Sequence, residues 1–146
     1  MMADHVFEPR TASALVRQSI HQDGAILAVD HKLDSIFDMD DATKVACNGG
    51  YVIDIGKNIG IYNAIDTGMF VCTPSLFNCL ELAKHNGSCS LSHGMRVLAY
   101  TQKLRAYDIG HGLWQDVDTP EALAHAETIF HEHYACSEKV GELLYV

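Results

Sequence analysis

The stretch that most constrains this chain is Leu113-Trp114-Gln115-Asp116-Val117-Asp118-Thr119-Pro120-Glu121-Ala122-Leu123. It reads as a short strand that ends in two carboxylates and turns at once into a helix. Side chains two apart in an extended segment point the same way, so Asp116 and Asp118 share a side and favour a cation between them. Thr119 suits an N-cap, Pro120 the first helical turn and Glu121 the positive end of the helix dipole. An acidic strand end before a well-capped helix would carry the same pattern without any ligand.

Composition bounds the rest. At 146 residues, with 48% hydrophobic and 20% charged side chains, the chain is expected to form a single domain, residues 1–146, with a real core. The net charge of −9, with only 10 Lys and Arg, argues against nucleic acid as a partner. Cys47, Cys72, Cys79, Cys89 and Cys136 are odd in number, form no C-x-x-C pair and follow no signal peptide. That usage fits reduced thiols and a cytoplasmic location. No apolar run is long enough to span a membrane.

Along the chain, Met1 to Phe7 reads as the end of a buried strand that stops at Asp4. Pro9 to about Ile20 has helical spacing, with Ala12, Leu15, Val16 and Ile20 on the apolar side. Gly24 to Asp30 is a continuous apolar run that fits a strand buried on both faces. The aspartate-rich segment from Asp30 to Asp41 lacks the glycine and the terminal glutamate of a calcium loop and reads as a solvated connection. Asn48-Gly49-Gly50 between Thr43–Cys47 and Tyr51–Ile55 signals a β-hairpin. Tyr62 to Thr73 reads as a loop and a buried strand stopped by Pro74, with Asp66 and Gly68 at its entrance, where a glycine lets a ligand approach closely.

Further helices are expected over Ser75–Lys84, ending near Asn86-Gly87, then from Ser90 through Tyr100, and from Thr119 to about Tyr134. In the last, Leu123, Ala126, Ile129, Phe130 and Tyr134 point inward. Lys103 to Ile109 reads as a strand. His131 and His133, two apart on a helix, do not share a face and make a poor zinc pair. His5 and His111 flank the acids, and Cys72 and Cys79 suit core positions. The class is α/β, a mixed sheet with flanking helices and a β-hairpin, in which ligands bind beyond the carboxyl ends of strands.

Ala3-Asp4-His5, Ile36-Phe37-Asp38, Ala42-Thr43-Lys44-Val45, Ile55-Gly56-Lys57, the run from Tyr62 to Phe70 and the run from Trp114 to Leu123 together resemble the sugar-phosphate nucleotidyltransferases, most of all their inositol-1-phosphate cytidylyltransferase branch. The resemblance reaches from residue 1 to about His125. It implies a Rossmann-like sheet of the glycosyltransferase-A type, here incomplete, as the carboxyl-terminal part of a nucleotidyltransferase domain. It implies Mg2+ held by Asp4 and by Asp116 or Asp118, relatives differing over which acid aligns. Lys57 matches the lysine on the acceptor phosphate, and with Asp118 it is the expected catalytic pair. Asp66 and Gly68 match the lining of the sugar or polyol pocket. The implied substrates are a nucleoside triphosphate and a phosphorylated sugar or polyol, CTP and inositol 1-phosphate in the branch named.

The family's Ala-Gly-x-Gly-x-Arg loop, which holds the triphosphate, has no counterpart in these 146 residues. The expectation is therefore a truncated nucleotidyltransferase, inactive alone, that exposes a strand edge and forms a homo-oligomer. The alternative is a non-catalytic binding or oligomerisation module with relic acids.

Overall fold

The computed structural model describes residues 1–84 and 89–143, with 136–143 as backbone only. Strand β2 (Ala25–Asp30) is its centre, with every residue buried. It pairs antiparallel with β5 (Ala64–Cys72) and parallel with β6 (Leu104–Asp108). Strand β3 (Lys44–Asn48) lies beyond β5 and pairs with β4 (Tyr51–Gly56). A single register pair, Tyr51 with Arg105, closes β4 onto β6. The five strands thus form a mixed sheet that curls into a ring, and the free edge expected of an open sheet does not arise among them.

Alternation along β2 divides the core in two. Ala25, Leu27 and Val29 pack with Val45, Val52, Ile55 and Leu104 beneath α3 (Leu91–Tyr100), which contributes Met95, Leu98 and Ala99. Ile26 and Ala28 face the other way, against Leu15 of α1 (Pro9–Val16), Met69 and Ile109. Helix α2 (Ser75–Ala83) lies on α3, with Leu76 and Cys79 partly buried against the first cluster. A Cβ at Gly94 would meet Leu80 Cδ2 at 2.5 Å, so the glycine is what lets these helices approach. Ser90 caps α3 in a reciprocal box with His93.

The hairpin forms as expected, and its two-residue turn is Gly49-Gly50, with φ of +57° and +81°. Both residues in the left-handed region define the turn that matches strand twist. Strand β5 bulges where Leu27 pairs with Phe70 but Val29 pairs with Asp66, leaving Thr67, Gly68 and Met69 opposite Ala28 alone. The Thr67 hydroxyl donates to the Ala28 carbonyl at 2.9 Å and pins the bulge.

Some local expectations change. Residues 1–4 are not strand; β1 is His5–Phe7, after Asp4, and it pairs antiparallel with β7 (Trp114–Asp116) in a separate two-stranded sheet. Helix α1 ends at Val16, which is exposed, because the chain leaves the helix at Arg17 to reach β2. Cys72 is exposed at the end of β5 rather than in the core. Helix α4 runs from Pro120 to Leu143, and it buries Ala122 and Ala126 while Leu123 and Tyr134 stay exposed. The expected stop of α2 near Asn86-Gly87 lies outside the described residues. No described helix is long and apolar enough to cross a membrane.

Leu98 is fully buried where α3 packs on β4 and β6. Leu98→Ala is expected to lower unfolding stability by about 2–5 kcal/mol, whereas Ile61→Ser, at a position 88% exposed, should change it by less than about 0.5 kcal/mol. Urea titration of both variants measures this, and a smaller loss at Leu98 than at Ile61 would contradict the packing described.

Candidate active site

The β2 and β7 strands end on the same cleft, of about 650 Å³, roofed by the 32–43 segment and by one stripe of α4. Asp4, Asp41, Asp66, Asp116, Asp118 and Lys57 all line it. The antiparallel β1–β7 pair sets His5 opposite Asp116, and the Val117 amide donates to the Asp4 carbonyl at 2.8 Å. Asp4 and Asp116 are therefore brought together by backbone pairing, from opposite ends of the chain. Oxygens or ring nitrogens of Asp4, His5 and Asp116 lie within 4.8 Å of one another, as do carboxylate oxygens of Asp41, Asp116 and Asp118. Thr119 Oγ1 accepts from the Ala122 amide at 3.1 Å, so the helix start is capped as its sequence suggests and holds Asp118 at the rim.

The charges perturb one another. Burial, with Asp118, Asp4 and Asp41 adding repulsion, pushes the Asp116 carboxyl up, and His5 opposes this. The hydrogen bond from His5 holds Asp4 below the ordinary carboxylate range. Asp116 Oδ1 is buried and has no hydrogen-bond partner among the described residues. A buried acceptor left unpaired is costly. The carboxylate oxygens that converge around such an atom suit a hard cation such as Mg2+, which takes carboxylates and water.

Lys57, just after β4, pairs with Asp41, and this partner raises its ammonium pKa. Asp66 sits deeper, where burial pushes its carboxyl up to about 6 although the Gly68 amide donates to Oδ1 at 2.8 Å. Gly68 itself does not line the cleft. The close approach it permits is to His5, whose Cδ2 would lie 2.5 Å from a Cβ there, and its φ of +74° also favours glycine.

Several residues escaped the sequence reading. Asp41 belongs to the acidic cluster, and Asp34, Asp38 and Asp41 line the cleft, so the aspartate-rich segment is more than a solvated connection. Asp30, at the end of β2, accepts from the Trp114 indole at 2.8 Å and pairs with Lys32 at 2.8 Å. Phe37 stacks on His125 of α4 across the roof, centroids 4.5 Å apart. The run of aspartates after a buried strand and the resemblance carried by Ile36-Phe37-Asp38 and Ala42-Thr43-Lys44-Val45 were the signals for this loop. His111 lies outside the cleft lining, and His133 sits 3.7 Å from Glu8, tying α4 to the start of α1.

No protein-family model matches the chain. It is 31% identical over 128 residues to the bifunctional IPC transferase and DIPP synthase of Aquifex aeolicus, covering 87% of this chain and 27% of that protein. The protein of the same name from Thermococcus kodakarensis is 34% identical over 127 residues, covering 86% of this chain and 27% of the relative. The chain thus spans about a quarter of the length of these curated relatives. Among solved structures, the inositol-1-phosphate CTP transferase of T. maritima superposes with a TM-score of 0.70 at 30% identity, over 82% of this chain and 48% of that one. An apo UDP-glucose pyrophosphorylase shares the fold at 14% identity and a TM-score of 0.65, over 92% of this chain and 54% of that one. Identity and fold agree over the same stretch: the chain resembles the sugar-phosphate nucleotidyltransferases, the inositol-1-phosphate CTP transferase of T. maritima among them.

Proposed function

We propose that this chain carries the metal- and acceptor-binding side of a nucleotidyltransferase centre acting on a phosphorylated polyol or sugar, with CTP and inositol 1-phosphate as the substrate pair. The observation that carries the reading is the convergence of Asp4, Asp116 and Asp118 on one cleft with Lys57, around a buried carboxylate oxygen that has no hydrogen-bond partner among the described residues. Asp116, with Asp4 or Asp118, would hold Mg2+, whose charge offsets that of phosphate oxygens in such a reaction.

The chain's own residues would act by alignment. Lys57 steadies the acceptor phosphate as a point charge, exchanging its bond to Asp41 for one to phosphate. Asp118, at the rim, lies within 4.8 Å of Asp41 and Asp116 and with them would face the nucleotide's α-phosphorus. An acceptor phosphate oxygen forms the new bond to that phosphorus as the bond to pyrophosphate breaks, so no protein nucleophile is needed and positioning supplies most of the rate. Asp66, at the deep end, meets the polyol hydroxyls, and Gly68 serves it by supplying the amide that orients its carboxyl. The glycine-rich triphosphate loop of the family is not among these residues, so the reading concerns one side of the centre.

A further part of the proposal is self-association. Phe77 and Leu82 are 70% and 77% exposed on α2, and covering either by a second copy would remove apolar surface from water. Light scattering at micromolar concentration is expected to give a dimer or larger, and a monomer would contradict this.

Lys57→Ala is expected to weaken inositol 1-phosphate binding about tenfold or more, the loss of one charge-assisted hydrogen bond. Calorimetry in excess Mg2+ measures it, and binding indifferent to the substitution would remove Lys57 from the acceptor site. Asp66 gives a pH test. Its folded pKa of about 6 exceeds the ordinary value of 3.8, so between the two the folded state binds more protons and stability falls as pH rises. Asp66→Asn should match the wild type near pH 3.5 and exceed it at pH 7 by up to ~3 kcal/mol. Denaturant titrations at both pH values check this, and a wild-type advantage at pH 7 would show that the charged form is stabilised instead.

A further inference from the structure

His5 is the most enclosed ionisable ring at the acidic cluster, its side chain only 6% exposed, and the reading above gives it no part. Its Nδ1 lies 2.9 Å from Asp4 Oδ1 and 3.6 Å from the unpartnered Asp116 Oδ1. An ionised carboxylate only accepts, so Nδ1 carries the proton and donates to Asp4. The ring is fixed on two sides by contacts that have no share in this bond. Trp114 lies parallel to it, 5.7 Å between centroids and 16° between planes, and its indole is tied at 2.8 Å to buried Asp30. On another side is Gly68, in the bulge of β5, where no side chain other than hydrogen fits against the ring.

We infer that His5 is a positioning residue: it locks Asp4 in the rotamer that faces Asp116, and the bulge at Gly68 and the Trp114–Asp30 anchor exist at this site to hold the imidazole at that angle. Asp4 is half exposed and stands just before a short strand, so without this donor its carboxylate is free to turn toward solvent. Partners that orient a ligating carboxylate typically change metal affinity by about 10–100-fold when removed. The inference rests on the cation-binding reading of the cleft.

Two substitutions separate the bond from the packing. His5→Phe keeps a flat ring between Trp114 and Gly68 but has no donor. His5→Asn loses the ring yet places an amide N–H near the position of Nδ1. Mn2+ alone, titrated into the full chain and followed by electron paramagnetic resonance, is expected to bind His5→Phe about tenfold or more weakly than the wild type. His5→Asn should lie at least threefold closer to the wild type than His5→Phe, even if circular dichroism shows it to be the less stable of the two. A His5→Phe affinity equal to the wild type, or weaker binding by His5→Asn than by His5→Phe, overturns the positioning role while leaving the cation site in place. Failure of the wild type and Asp116→Asn alike to bind Mn2+ overturns the cation site, and the role of His5 with it.

Discussion

Strand β2 is buried along its whole length, and covering its two faces dictates how the remaining elements are arranged. One face needs the apolar side of α3 and the hairpin strands, the other needs α1, Met69 and Ile109. A strand with no exposed face releases its chain only at its end, and there stands Asp30, nearly inaccessible and held by Lys32 and the Trp114 indole. A buried carboxylate is tolerable only when paired and hydrogen-bonded. Asp30 therefore fixes Trp114, Trp114 fixes His5, and the β1–β7 pairing fixes Asp116 beside Asp4. The core and the site are coupled through the Asp30–Trp114 hydrogen bond and through the packing of His5 on the β5 bulge at Gly68.

The carboxylates of the cleft crowd one another. Carboxylates within 4.8 Å of one another repel, less where water reaches them. Two local groups offset this in part: His5 serves Asp4, and Lys57 serves Asp41. Neither satisfies Asp116 Oδ1. Burial and repulsion act on the same carboxyl, which is where a divalent cation would gain most.

Much of this was legible in the sequence because local rules act alone there. The apolar run from Ala25 to Val29, the Gly49-Gly50 turn and the capped start of α4 at Thr119 each follow from residue type and spacing. The convergence of Asp4 with Asp116 was legible only through family likeness, since it depends on strands a hundred residues apart pairing antiparallel. Three features were not legible. Asp41 enters the cleft because its segment folds back over the sheet, which no periodicity encodes. Gly68 was read as room for a ligand, and the space is filled by His5, because a bulge changes which way a strand residue faces. Val16 and Leu123 match the apolar spacing of their helices but end up exposed, because α1 stops a turn early and α4 presents the stripe of Ala122 and Ala126 instead.

The central claim is that Asp116, with Asp4 or Asp118, forms a divalent-cation site in the cleft. A crystal of the chain grown with Mn2+ and measured at the manganese absorption edge tests it most directly. The account predicts one strong anomalous peak bonded to Asp116 and to at least one of Asp4 and Asp118, with oxygen ligands at about 2.1–2.2 Å. Peaks only on the surface, or none at millimolar Mn2+, would contradict it.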